Sequence, residues 1–256
     1  MTLSGKTILI TRSKNASAEF HSMLESRGAS ILCLPTIEIA DPDSWDECDA
    51  TIWKIAEYDS VCFTSTNAVK KFIQRIRLTH PHALNTLAAR NLYAAGEKTK
   101  VTLEANGFSV QPILRNYSAE NLAHSFYGQN ITGKHFLFPK SNIARDVIPK
   151  ELRSLGAIVD EIVTYKTVVP EPENLEHIHT FLKNGTINVV TFFSPSSVRN
   201  FMEMIGVEAL QRILVAVIGP TTAAAAKEAG LQVDILADQQ TAESLVHGIE
   251  DHFGIL

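Results

Sequence analysis

A chain of 256 residues that is 45% hydrophobic and 20% charged, with 13 Gly and 10 Pro, suffices for one large or two ordinary domains, and excludes a stapled miniprotein, a filament or a low-complexity tail. A formal net charge of −5 excludes a protein that coats nucleic acid with its whole surface, so an anionic partner has to be met by local donors. The cysteines, Cys33, Cys48 and Cys62, are odd in number and form no CxxC pair, which excludes a disulfide framework or zinc ribbon and points to a reducing compartment.

In chain order, Lys6 to Thr11 (KTILIT) is a short β-branched run, followed by a polar stretch from Ser13 to Ser17 and an amphipathic segment, Ala18 to Ser26, that stops at Gly28. This predicts a strand, a loop and a helix with a glycine C-cap. Its apolar core, Ile8 to Ile10, is much shorter than a signal-peptide h-region, and no window approaches about eighteen uninterrupted apolar residues. A cytoplasmic chain with no membrane span is expected. Further strand-then-helix units begin at Ser60 to Thr64, Asn91 to Ala95, His135 to Phe138, Asn188 to Phe193 and Ile213 to Ile218, with helices ending near Gly107, Gly156 and Gly230. Repeated βα units with continuously apolar strands predict parallel sheets covered on both faces.

The units are themselves repeated. KTILIT at Lys6 answers KHFLFP at Lys134, and Gly28-Ala29 answers Gly156-Ala157, both at an offset of 128. VCFTSTNAVKKF from Val61 answers VTFFSPSSVRNF from Val190 at 129, while Gly96 answers Gly219 and Ser118 to Leu122 answers Thr241 to Leu245 at 123. Four matched blocks in one order imply two copies of a single α/β module. Two proline-marked extended stretches, Leu34 to Pro42 and Val163 to Pro172, lie inside the repeats and read as a pair of linkers. The sequence permits a cut there into two lobes.

In open parallel sheets, ligands bind beyond the carboxyl ends of the strands, where helix N-termini present free N–H groups. Here those exits carry small hydroxyl and amide residues: Thr64 to Asn67, Lys140 to Asn142, Ser194 to Ser197 and Gly219 to Thr222. Each alone is an ordinary cap. Their recurrence suits a ligand with several carboxylates or phosphates gripped largely by backbone. No GxGxxG follows a strand, and no GxxxxGK[ST] or GxSxG occurs. The i,i+2 pairs His80/His82 and His177/His179 lack a third ligand and read as solvated surface, as do the acids Asp41, Asp43, Asp46, Glu47 and Asp49 around the first linker.

FTSTNAV (Phe63 to Val69), the block from Phe136 to Pro172 with its linker Tyr165, FFSPSSV (Phe192 to Val198) and IGPTTAAAAKEAG (Ile218 to Gly230) together resemble the uroporphyrinogen-III synthase family over essentially the whole chain. The resemblance implies two Rossmann-like, flavodoxin-type parallel-sheet lobes, residues 1–37 plus 171–256 and residues 42–165, joined by a two-stranded linker at about 34–42 and 163–172 with the active cleft between them. It implies a cyclising lyase of tetrapyrrole and haem biosynthesis that expels the hydroxyl of hydroxymethylbilane, inverts ring D through a spiro-pyrrolenine and closes uroporphyrinogen III, with neither metal nor cofactor. The implied partner is a small-molecule tetrapyrrole with eight carboxylates. No nucleic acid or membrane is involved, and a monomer in transient contact with the preceding pathway enzyme is implied.

By motif, the resemblance makes Ser65 and Thr66, Ser194 and Ser197, and Thr221 and Thr222 carboxylate contacts. Asn142 and Arg145 fall in the corresponding loop of the second lobe. Tyr165 either helps the hydroxyl depart, because a phenol can hydrogen-bond to it, or only packs as a linker aromatic. Arg12 sits where family members often continue Thr-Arg with Pro and Gln, which this chain lacks, and Glu97 occupies an exit where an anion is unwelcome, with Lys98 placed to compensate. The rival readings from sequence are a two-lobed binding protein without catalysis and a glycosyltransferase with paired Rossmann lobes, for which the chain is short and lacks a nucleotide-anchoring glycine loop.

Overall fold

A computed structural model describes residues 2–113, 119–144, 147–172, 174–210 and 213–254. In chain order its elements are β1 (Thr7–Ile10), α1 (Ala18–Ser26), β2 (Ser30–Cys33), β3 (Glu38–Ala40), α2 (Asp46–Trp53), β4 (Ser60–Phe63), α3 (Thr66–Thr79), α4 (Ala83–Ala88), β5 (Asn91–Ala94), α5 (Glu97–Ala105) and α6 (Ala119–His124). They continue with β6 (His135–Ser141), α7 (Val147–Ser154), β7 (Ile158–Val168), α8 (Leu175–Lys183), β8 (Val189–Phe192), α9 (Pro195–Ile205), β9 (Leu214–Val217), α10 (Pro220–Glu228), β10 (Ile235–Leu236) and α11 (Ala242–His252).

Two compact units result, one formed by Met1–Glu38 with Val168–Leu256 and the other by Ile39–Thr167. The first holds a sheet of order β10-β9-β8-β1-β2, all of whose pairings are parallel. That is the flavodoxin-type arrangement, with its switch point between β8 and β1. The sheet of the second unit runs β3-β7-β6-β4-β5, and β7, β6, β4 and β5 are parallel. Central strands β4 and β8 are buried at every position, which explains why they read as unbroken apolar runs.

The duplication is visible in the hydrogen bonds. Four strands of each sheet come two from each repeat, because β9-β8-β1-β2 and β5-β4-β6-β7 are equivalent rows. Asn188 Oδ1 accepts from Thr7 N at 2.7 Å, and at the corresponding place Asp59 Oδ2 accepts from His135 N at 2.9 Å. Asp234 N donates to Val215 O at 3.0 Å, and Gln111 N to Leu92 O at 2.8 Å. The repeats are thus exchanged between the units.

The acids near the first linker are mostly exposed, as expected, but they sit on a helix and in ion pairs rather than in a free turn. Asp46, Glu47 and Asp49 form the first turn of α2, where carboxylates complement the helix dipole. Asp49 holds Arg75 in a two-pronged contact of 2.7 and 2.5 Å, Asp41 meets Lys71 at 2.5 Å, and Asp43 meets Lys166 at 2.7 Å. His80 is not solvated surface: its ring centroid is 3.5 Å from that of Trp53, and its Nδ1 is buried without a partner among the described residues.

Asp59 gives a pH prediction. The Lys134 ammonium at 2.9 Å and the His135 N–H hold its carboxyl below the usual carboxylate range. A depressed value means that the stabilisation is complete above the unfolded-state value of about 4 and is lost as pH falls through the folded one. Asp59→Asn, which copies the Asn188 of the other repeat, is expected to melt below wild type at pH 7. The gap between the two melting temperatures should start to narrow as pH falls below about 4 and close only below the folded-state value. A difference that persists unchanged at pH 3 would show that the carboxylate charge contributes nothing.

Candidate functional site

In the first unit, the strand exits are locked by buried threonines. Thr11 Oγ1 donates to Thr191 O at 2.7 Å, Thr191 Oγ1 donates to Leu9 O at 3.2 Å, and Thr36 Oγ1 donates to Thr11 O at 3.2 Å. Just beyond, exposed Arg12 lies with its guanidinium 5.1 Å from the centroid of Phe193, a cation–π contact, and Phe193 meets Phe20 edge-on at 5.1 Å. Arg12 has no hydrogen bond or ion pair among the described residues, so its donors are available to an anion.

Ser194 caps α9 in the extended conformation that an N-cap needs, and it forms a reciprocal box with Ser197. Its Oγ accepts from Ser197 N at 3.1 Å, while Ser197 Oγ accepts from Ser194 N at 3.2 Å and donates to Ser194 O at 2.7 Å. Ser197 is buried and its hydroxyl is taken up in the cap. Ser194 Oγ also lies 3.0 Å from Ser196 Oγ. At α10 the cap is Gly219, which has no side chain to satisfy the first-turn N–H groups. A Cβ there would come within 2.8 Å of Cγ of the exposed Gln240 side chain, which would have to swing aside to admit it. Thr221 is exposed on the first turn of α10, whereas Thr222 is buried. Arg12, Ser194, Ser197, Thr221 and Thr222 thus follow the adjacent strands β1, β8 and β9.

In the second unit, Ser65 is the N-cap of α3, its Oγ accepting from Ala68 N at 3.0 Å. The same Oγ lies 2.9 Å from Tyr165 Oη. Tyr165, on β7, is 7% exposed and packs in a core with Phe63, Val61 and Ile162. Thr66 opens α3 half-buried. Asn142 is exposed, its N donating to Tyr165 O at 3.3 Å and its Oδ1 accepting from Thr167 N at 2.9 Å. Arg145 lies outside the described residues.

Gly96, cap of α5, has φ of +94°, a conformation that side-chain-bearing residues rarely adopt, and like Gly219 it leaves the first-turn donors uncapped. Glu97 beside it is met by Lys100 at 3.5 Å, so Lys100 rather than Lys98 is the compensating cation. Burial, with Asp49 adding to it, pushes Cys48 up to about 12, and burial raises Cys62 and Cys33 as well, which disfavours the thiolates that nucleophilic chemistry would need.

A pocket of about 500 Å³ in the second unit, lined by Tyr58, His135, Asp160 and Glu161 among others, involves none of the candidate catalytic or carboxylate-binding residues. It borders the amino-terminal parts of β6 and β7, away from the strand exits where helix N-termini point. Among the described residues, no group of three or more His, Cys, Asp or Glu is placed to hold a metal ion, and no helix is long and apolar enough to cross a membrane.

Residues 18–247 match the sequence model of a family described as "Uroporphyrinogen-III synthase HemD". The uroporphyrinogen-III synthase of Chlorobaculum parvum is 31% identical over 247 residues, covering 96% of this chain and 98% of the relative. That of Synechococcus elongatus is 32% identical over 256 residues, with 97% and 96% covered. Among solved structures, a mutant uroporphyrinogen III synthase of Thermus thermophilus superposes with a TM-score of 0.67 at 17% identity, covering 97% of this chain and 99% of the other. The Helicobacter pylori enzyme gives 0.63 at 18% identity, with 94% and 97% covered. At those identities the structures speak to the α/β fold of parallel-sheet lobes alone.

Proposed function

The chain belongs to the uroporphyrinogen-III synthase family, and from that premise we infer that it is a cyclising lyase of tetrapyrrole and haem biosynthesis, closing hydroxymethylbilane to uroporphyrinogen III with inversion of ring D. The observation that carries this is similarity over nearly the full length of both this chain and relatives that bear that name. The chemistry fits what the strand exits offer. Loss of hydroxide from a pyrrole-stabilised carbinol is easy, and closure without guidance gives the uninverted type I isomer. The protein must therefore hold a conformation more than supply a nucleophile.

Each unit offers the substrate's carboxylates helix N-termini of its own: α9 and α10 with Arg12 in the first, α3 and α5 in the second. N-terminal N–H groups and the helix dipole favour anions there, which lets an acidic chain bind a polyanion. Tyr165 is the group we assign to the departing hydroxyl. Ser65 Oγ accepts from Ala68 N, so its own proton is free to go to Tyr165 Oη, and the phenol proton is then free to meet the leaving group. The chain is proposed to act in the cytoplasm as a monomer, meeting the preceding pathway enzyme transiently and requiring neither metal nor cofactor.

The test is to incubate purified protein with freshly made hydroxymethylbilane, without added metal, nucleotide or flavin, and to separate the oxidised products. Type III is expected to dominate, and a mixture identical to the protein-free control would sink the reading in favour of a binding protein. A grip spread over many amides also predicts modest single losses. Ser194→Ala should cost about 1 kcal/mol of stability as a lost cap and slow turnover less than about tenfold, since backbone donors survive. Abolished turnover at unchanged stability would locate a discrete catalytic group at Ser194 and contradict the distributed grip.

A further inference from the structure

The aim of Tyr165 is set by an irregularity in the strand that carries it. Along the first part of β7 the side chains alternate. Val159 packs with Phe136 and Phe138, and Glu161 pairs with Arg153 of α7 at 2.8 Å. Asp160 and Ile162 face the other way: Asp160 accepts from Tyr58 Oη at 2.7 Å, and Ile162 joins the core of Phe63 and Phe72. Strict alternation would send Tyr165 toward α7 with Val159 and Glu161. It lies instead with Ile162 and reaches Ser65 at the head of α3.

The switch occurs where the β6–β7 register slips, Lys140 facing Val163 but Ser141 facing Tyr165, so that Thr164 is an extra residue. Bulges are rare in parallel pairs, and one extra residue turns every later side chain to the opposite face. Two side chains fasten this one. Thr164 is fully buried and its Oγ1 donates to Lys140 O at 3.3 Å. Asn142 straddles Tyr165, its N on Tyr165 O at 3.3 Å and its Oδ1 on Thr167 N at 2.9 Å.

We propose that Asn142 and Thr164 are positioning residues that hold a bulge in β7 and thereby aim the Tyr165 phenol at Ser65 and the reacting hydroxyl. This rests on the functional reading above and assigns Asn142 a task other than gripping a carboxylate. Asn142 Oδ1 is already occupied by a backbone donor, and an aspartate could accept that donor equally well.

The experiment is a double-mutant cycle read as kcat and type III fraction. Asn142→Ala is expected to lower kcat about tenfold in the wild-type background, since small misplacements of a catalytic group are costly, and less than twofold in the Tyr165→Phe background, where no phenol remains to be aimed. Asn142→Asp, which keeps an acceptor for Thr167 N, should restore most of kcat, while its charge beside a carboxylate-rich substrate raises KM. Should Asn142→Ala fail to fold, Thr164→Val, which keeps the shape and removes the hydroxyl, is read in the same cycle with the same expectation. Equal slowing in both backgrounds, or a lower melting temperature with wild-type kcat, would overturn the proposal. Wild-type protein that yields no type III product would instead overturn the functional reading beneath it.

Discussion

Tyr165→Phe is expected to lower kcat about a hundredfold while the protein remains folded, which corresponds to about 2.7 kcal/mol of lost transition-state stabilisation. The ring stays, and with it the packing against Phe63 and Ile162; only the phenol hydroxyl and its 2.9 Å contact with Ser65 are removed. Proton donation by a positioned acid contributes about 10²- to 10⁴-fold, and the low end applies because the carbinol hydroxyl departs readily by itself. Since spontaneous closure competes, the type I share of the product should rise as the enzymatic rate falls. Steady-state rates and product ratios on folded protein check this. A loss under twofold would leave Tyr165 a packing residue and return the site to backbone donors alone.

The largest stability effect is expected at Phe201. This side chain is fully buried on α9 and packs edge-to-face on Phe192 with ring centroids 5.2 Å apart, anchoring the helix whose N-terminus Ser194 caps. Phe201→Ala removes most of an aromatic side chain from a close-packed site and should cost about 3–5 kcal/mol. Equilibrium urea unfolding measures it as a lower midpoint at unchanged slope. A cost below about 1 kcal/mol would mean that the surroundings collapse onto the gap, and α9 would not be held as described.

Strands and helices with strong patterns were legible. β4 and β8 announce themselves as β-branched and aromatic runs because both faces of each sheet are covered, and α1 ends at a glycine that accepts φ of +86°. The matched blocks foretold equivalent strands, and the hydrogen bonds of Asp59 and Asn188 show them. What escaped notice was short or locally ambiguous. β10 has two residues, and α2 hides in an acidic stretch whose carboxylates look like a solvated turn until Arg75, Lys71 and Lys166 arrive from distant segments. His80 likewise proves half-buried, with its ring against Trp53.

The candidate residues were legible as residue types at strand exits, yet their roles were not. Nothing in FFSPSSV distinguishes a hydroxyl free for a ligand from one engaged in a cap, and the Ser197 hydroxyl is engaged with Ser194. The approach of Ser65 to Tyr165 joins residues 100 positions apart. No local pattern carries that. Thr164 was missed because a bulge is a property of two strands together: the register against β6, not the sequence of β7, makes it the extra residue.

Inversion of ring D is the central claim, and it can be read bond by bond. Hydroxymethylbilane is labelled with ¹³C at the hydroxymethyl carbon and at the ring-D α-carbon that already bears the preceding bridge, and the enzymatic product is examined by ¹³C NMR. Passage through the spiro intermediate transfers that α-carbon to the new bridge, so the account predicts a one-bond ¹³C–¹³C coupling between the two labels in the product. A product in which the two labels remain uncoupled, as simple head-to-tail closure leaves them, would contradict it.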